Sequence, residues 1–176
     1  MSILYLVIRG GRADQGRTSD GPLAAVLACA LFAFAAGPAV AASPLAQLSG
    51  SWSGSGRISL TDGKSEDLKC TAYYTPKEGG AEVGVALRCA SASNKVELRA
   101  KLVSDGSRVS GSWEERTFNA SGSVAGQASP TQIKLAVNGG GFSASMAVTT
   151  TGKTQIVSVS TQGLALKGVS VKLQRD

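Results

Sequence analysis

The feature that most restricts the fold of this chain is a short alternating stretch with a turn at its centre. Residues 68–89 read LKCTAYYTPKEGGAEVGVALRC, and apolar residues recur at every second position on both sides of the polar centre. Alternation with a period of two is typical of a half-buried β-strand, and the Gly79-Gly80 pair suits the positive φ angles of a two-residue hairpin turn. The stretch therefore predicts a β-hairpin with one apolar face.

The same alternation continues along the chain and predicts an all-β domain of about ten strands joined by short turns. The predicted strands are 50–60, 66–76, 81–91, 94–103, 108–116, 118–128, 131–138, 141–150, 153–162 and 167–175. The turns set the register. A three-residue turn at 62–64 places Ile58 opposite Leu68, an Asp105-Gly106 turn places Leu98 opposite Trp113, and a turn at 151–152 places Met146 opposite Val157. Sequential one-sided hairpins form an antiparallel up-and-down meander, and a long meander loses its exposed edges by closing. We predict a closed barrel, with a two-sheet β-sandwich as the alternative.

The beginning of the chain has the pattern of a secretory signal peptide. Three arginines precede an apolar run from residue 23 to residue 36, and the small residues Ala39-Val40-Ala41 follow it. A basic region, an apolar region and an A-x-A site in this order are typical of cleaved export signals. The run is shorter than the ~20 apolar residues of a membrane-spanning helix.

This pattern divides the chain into three parts. We predict that residues 1–41 are a signal-peptide helix that is cleaved, that 42–48 are a short N-terminal linker, and that 49–176 are a single β-barrel domain. The mature protein is then expected in the periplasm or outside the cell, with no integral membrane span. The sequence does not indicate its oligomeric state.

Two cysteines lie at the ends of the first alternating stretch. If Gly79 and Gly80 form the turn, Cys70 lies directly opposite Cys89, and both side chains belong to the apolar face. Directly opposite residues in a non-hydrogen-bonded pair have Cα atoms about 4.5 Å apart, which a disulfide can bridge. Because the chain carries an export signal, we predict a Cys70–Cys89 disulfide, with two buried free thiols as the alternative.

The composition argues against most catalytic and cofactor sites. The chain contains no histidine, which removes the commonest general base, the commonest zinc and haem ligand, and every Ser-His or Cys-His pair. The net charge is +6, but the charged residues are scattered singly rather than clustered, so we expect no nucleic-acid partner. We therefore expect no enzyme activity, no cofactor and no metal site.

Several short stretches resemble known exported proteins. LSGSWSGSGRI, at the start of the first strand, resembles the Gly-x-Trp opening of lipocalin-like (calycin) β-barrels. LRCASAS, SGSWEERTFNASGSVAG and GFSASMAVTTTGK resemble a group of small exported alphaproteobacterial proteins over nearly the whole mature chain. The resemblance implies that Trp52 packs across the base of a barrel, and it implies no activity. Haem-binding members of the lipocalin-like class use a histidine ligand, which this chain does not have.

Two inward positions carry polar groups. By alternation Glu115 points inward opposite Val96, where a carboxylate is costly unless it is paired, protonated, turned outward by a bulge or placed at a solvated rim. Glu115 therefore either orients a ligand or is a carboxylate that a bulge turns outward or that solvent reaches at the rim. Tyr74 also points inward, and its hydroxyl either holds a ligand or simply packs in the core. The predicted ligand lining consists of Trp52, Tyr74, Leu98, Trp113, Glu115 and Met146.

These observations support two classes of function. The first is an exported non-enzymatic binding module that holds a small apolar or amphipathic ligand inside the barrel. The second is an interaction or structural protein of the cell envelope, such as an inhibitor of an envelope enzyme, with a filled core and no small-molecule ligand. The inward face is rich in glycine and alanine, which either leaves a cavity or lets the strands approach closely.

Overall fold

The computed structural model describes residues 42–176, and the predicted signal peptide lies outside the described residues. A 3₁₀ turn at Ala46–Leu48 precedes ten strands, and a second one at Glu78–Gly80 joins two of them. The strands are β1 Gly50–Leu60, β2 Ser65–Lys77, β3 Glu82–Ala90, β4 Lys95–Asp105, β5 Arg108–Glu115, β6 Ala120–Ala128, β7 Gln132–Gly139, β8 Phe142–Thr151, β9 Thr154–Gln162 and β10 Leu166–Arg175. No helix within the described range is long and apolar enough to span a membrane.

The strands form a closed barrel. Each strand pairs antiparallel with the next one along the chain, and β1 pairs with β10, which closes the sheet. Closure pairs both edges of the meander, so that neither remains free to pair with another chain. The predicted all-β up-and-down barrel is confirmed, and the two-sheet sandwich is excluded.

The register of the β2–β3 hairpin is as predicted, although its turn is not. Cys70 lies opposite Cys89 and Tyr74 lies opposite Val85, but the loop has four residues, 78–81, rather than two. It is longer by one residue on each side, so the pairing does not change. The cysteines form the predicted disulfide, with their Cα atoms 4.1 Å apart.

Three other hairpins differ from their predicted register by two residues. Leu98 lies opposite Glu115 rather than Trp113, because the β4–β5 turn is Gly106-Ser107 rather than Asp105-Gly106. Similarly, Ile58 lies opposite Glu66 rather than Leu68, and Met146 lies opposite Val159 rather than Val157. Moving a turn by one residue moves the register by two, so every side chain stays on its predicted face.

The barrel has two different ends, which we call the base and the mouth. At the base, β1 begins and β10 ends, and the 3₁₀ turn at Ala46–Leu48 lies there. Leu45 and Leu48 are buried and pack into one cluster with Val83, Leu102 and other residues at the base ends of the strands. The predicted linker 42–48 thus contains two core residues. The mouth is formed by the loops 61–64, 91–94, 116–119, 140–141 and 163–165.

Candidate functional site

Trp52 closes the base of the barrel. Its side chain is fully buried, and its indole Nε1 donates a hydrogen bond to the Leu48 carbonyl at 2.8 Å. The guanidinium carbon of Arg175 lies 4.5 Å from the ring centroid, and the same group donates to the Ser49 and Gln47 carbonyls. This cation–π contact and these hydrogen bonds join the first strand, the last strand and the N-terminal segment. Trp52 thus lies across the base, as the resemblance implies, and is not accessible to a ligand.

The inward face of the barrel changes in accessibility from base to mouth. Near the base, inward residues such as Val83, Val109 and Ile133 are buried almost completely. Nearer the mouth many inward apolar residues are only partly buried, although Leu68, Cys70 and Trp113 remain buried. We call six of the partly buried residues the mouth lining: Leu87, Leu98, Phe142, Met146, Val157 and Val159. One end of the interior is therefore a packed core, and the other includes apolar surface that solvent reaches.

Trp113 lies at the boundary between these two regions. It is 6% exposed, and its Nε1 donates a hydrogen bond to the Asn138 carbonyl at 3.2 Å. Its ring centroid is 5.5 Å from that of Phe142, with the ring planes tilted by 48°, a favourable arrangement for an aromatic pair. Leu98 and Met146 pack against the same cluster. Three of the predicted lining residues, Leu98, Trp113 and Met146, thus belong to or border one hydrophobic cluster.

Glu115 points inward but has no free oxygen for a ligand. One carboxylate oxygen accepts the backbone N–H of Glu97 at 2.8 Å, and the other accepts that of Phe118 at 2.7 Å. Burial alone would raise the pKa of Glu115, but these hydrogen bonds and those from Thr117 outweigh it and hold the pKa below its ordinary value. The carboxylate fastens the 116–119 loop to β4. It lies opposite Leu98 and Ala120 rather than opposite Val96.

Tyr74 takes part in a polar pair inside the barrel. From β2 its hydroxyl donates a hydrogen bond at 3.0 Å to Oε1 of Gln155 on β9. Burial raises the pKa of Tyr74 to about 12, so the hydroxyl keeps its proton at all physiological pH values. Gln155 is 0% exposed, and its Nε2 has no hydrogen-bond partner. Tyr74 packs against both core clusters, and the pair lies in the base half of the interior, since Gln155 is the second residue of β9.

Gln155 is the one polar residue of this site that the sequence reasoning missed. In the segment TQIVSV, Gln155 shares its face with Val157 and Val159, so alternation already places a glutamine at an inward position. That signal is weak by itself, because an inward residue near a strand end is often solvated. Its complete burial depends on the neighbouring strands and on the base.

Two open depressions lie on the part of the surface that residues 42–176 form. One lies over the disulfide and is lined largely by outward residues of β2, β3 and β4. The other lies between the first 3₁₀ turn and the 76–80 segment. None of the six predicted lining residues borders either depression. Across residues 42–176, no three acidic or cysteine side chains come together as a metal site would require.

The solved structures that resemble this one include two lipocalin-like barrels. Rv2717c from M. tuberculosis has a TM-score of 0.63 and 13% identity, over 76% of this chain and 94% of its own. The S-type phycobiliprotein lyase CPES from Guillardia theta has a TM-score of 0.54 and 13% identity, over 75% of this chain and 90% of its own. Both are lipocalin-like barrels. The fold is that of a lipocalin-like barrel. Neither a family model nor a curated protein matches the sequence.

The comparison corrects one prediction. The absence of histidine and of a nucleophile pair predicts that the protein is not an enzyme. The Guillardia theta protein is a lyase on the same type of barrel, so the lipocalin-like fold also serves enzymes and that conclusion does not stand. At 13% identity the likeness shows the fold alone, and a lipocalin-like barrel is consistent with a binding module.

Proposed function

We propose that the protein is an exported binding module that holds a small apolar or amphipathic ligand in the mouth half of its barrel. The observation that carries this proposal is the difference between the two ends of the interior. The base is a packed core, whereas the mouth lining is apolar and only partly buried. A soluble domain that leaves inward apolar side chains in contact with solvent gains free energy when an apolar molecule covers them, at about 25 cal/mol per Å².

Export is supported by the N-terminal pattern and by the disulfide. Disulfides persist in oxidising compartments, and the Cys70–Cys89 bond is formed in this structure. We propose that the mature protein acts in the periplasm or outside the cell after cleavage near Ala41.

The first test is to express the full chain with its own N-terminal segment and to purify the product from the periplasm. Native mass spectrometry then gives the mass of the mature chain with and without a bound molecule, and denaturation releases that molecule for identification. We expect cleavage near Ala41 and a stoichiometric small apolar or amphipathic molecule. A full-length mass in the cytoplasmic fraction would contradict export.

A matched pair of variants locates the binding surface. Ala144 is inward and partly buried near the mouth, and its neighbour Ser145 points outward and is exposed. Ala144→Phe fills part of the interior and should weaken binding of a fluorescent apolar probe at least about tenfold, whereas Ser145→Phe should leave it unchanged. A parent protein that carries no small molecule and takes up no probe would refute binding. It would favour the alternative of an envelope protein that acts through its surface.

A further inference from the structure

The side-chain amide of Gln155 has one hydrogen-bond donor without a partner. Its Oε1 accepts the Tyr74 hydroxyl hydrogen bond, but its Nε2 is buried with no partner. A buried donor without a partner destabilises the folded state, and most such groups in native structures are paired. Leucine at this position would fill a similar volume without that cost. Stability of the empty barrel therefore does not account for the Tyr74–Gln155 pair.

The pair lies next to the proposed binding surface. Gln155 lies on the same face of β9 as Val157 and Val159, which belong to the mouth lining. At ~3.3 Å per residue, its Cα is roughly 7 Å along the strand from that of Val157. A ligand that enters from the mouth and covers the mouth lining therefore brings its inner end towards the Gln155 amide.

The surroundings of the pair select an uncharged ligand oxygen. Among the inward-facing positions that the structure describes, Arg175 is the one cation, and it is held over Trp52 at the base. The Glu115 carboxylate is bonded to backbone N–H groups at the mouth. A carboxylate or phosphate beside Gln155 would be buried without a counter-ion, which strongly disfavours its binding. A carbonyl oxygen accepts a hydrogen bond without that penalty.

We propose that the ligand of this barrel carries an uncharged carbonyl oxygen, as in a ketone, aldehyde, ester or amide, which accepts a hydrogen bond from Gln155 Nε2. Tyr74 orients the amide by donating to its Oε1, and the apolar body of the ligand lies along the mouth lining. This inference rests on the proposed binding function and adds the chemical class of the ligand.

The test compares four ten-carbon probes that differ only in their polar group: decane, decan-2-one, decan-1-ol and decanoate. Their affinities for the parent protein are measured by competition against a fluorescent apolar probe. We expect decan-2-one to bind at least about tenfold more tightly than decane or decanoate, because it alone gives the amide a strong uncharged acceptor and no donor.

Variants test whether the Gln155 amide causes the preference for decan-2-one. Gln155→Leu should abolish the preference, so that decan-2-one binds this variant no more tightly than decane does. The control is Gln162→Leu, the same substitution at an exposed outward position of β9, which should leave the preference unchanged. The double variant Tyr74→Phe with Gln155→Leu removes both polar partners. We expect it to melt at or above the parent temperature and to show no preference for the ketone.

The outcomes separate this inference from the proposed function. If the probes bind but Gln155→Leu does not reduce the preference for decan-2-one, the amide is not the anchor, although binding stands. If decan-1-ol or decanoate binds best, the uncharged carbonyl is wrong. If no probe binds the parent protein, both the anchor and the binding function are refuted.

Discussion

Replacing Glu115 with glutamine should destabilise the protein at neutral pH and much less in acid. The carboxylate is 7% exposed and accepts the backbone N–H groups of Glu97 and Phe118 at 2.8 and 2.7 Å. A hydrogen bond to a charged group contributes about 1.5–3 kcal/mol. Glu115→Gln keeps one acceptor oxygen but turns an NH₂ group towards the second backbone donor, which is left unpaired. We therefore expect a loss of about 2–4 kcal/mol in the free energy of unfolding at pH 7.

The pKa of Glu115 determines how the loss of stability in Glu115→Gln changes with pH. The folded-state pKa of Glu115 lies below its ordinary value of 4.5, so the carboxylate contributes stability that is fully present above that value. This contribution is lost as the pH falls through the folded-state pKa, because protonation favours the unfolded chain. The stability difference between parent and Glu115→Gln should therefore shrink as the pH falls below about 4.5.

Urea unfolding followed by tryptophan fluorescence at pH 7 and pH 3 measures both effects. The matched control is Glu114→Gln, the same substitution at the adjacent outward and exposed position, which should change stability by less than about 0.5 kcal/mol. Amide hydrogen exchange at Phe118 should also accelerate in Glu115→Gln. Equal unfolding midpoints for Glu115→Gln and the parent at pH 7, or equal losses in the two variants, would refute the assignment of Glu115 as the residue that fastens the 116–119 loop.

Two further predictions concern the integrity of the barrel. Cys70→Ser or Cys89→Ser should lower the free energy of unfolding by ~2–5 kcal/mol, and melting the parent with and without a reductant should give a similar difference; an unchanged midpoint under oxidising conditions would contradict this. Gly56→Ala should cost at least about 2 kcal/mol, because the added Cβ would overlap the Ser170 carbonyl where β1 and β10 close the barrel. Gly84→Ala is the control, since its Cβ would lie 3.8 Å from the nearest atom, and comparable losses in the two alanine variants would show that close approach is not the cause.

The strands and their faces could be predicted from the sequence because both depend on local information. Alternation with a period of two decides which side chains share a face, and glycine-containing turns decide where the chain reverses. A predicted turn that is wrong by one residue therefore leaves the inward and outward faces of its strands unchanged. The β4–β5 turn lies one residue later than predicted, yet Leu98 and Trp113 still point inward. The Cys70–Cys89 pairing was predictable for the same reason, since a single hairpin determines it.

The partners of the polar side chains could not be predicted, because they come from segments far apart in the sequence. Alternation places Glu115 inward, but only the loop that follows and the backbone of β4 show that its oxygens are already occupied. Composition does not determine the function of the fold either. The lack of histidine predicts a protein that is not an enzyme, whereas a lyase has the same type of barrel.

The sequence by itself thus determined the ten strands, their inward and outward faces and the disulfide, since each follows from the residue period or from one hairpin. Only the tertiary structure decided between the closed barrel and the sandwich, placed Leu45 and Leu48 in the core, and buried Gln155 with an unpaired amide. These features arise when strands from opposite ends of the chain close around one interior. A side chain's partners there depend on closure, which no local pattern specifies.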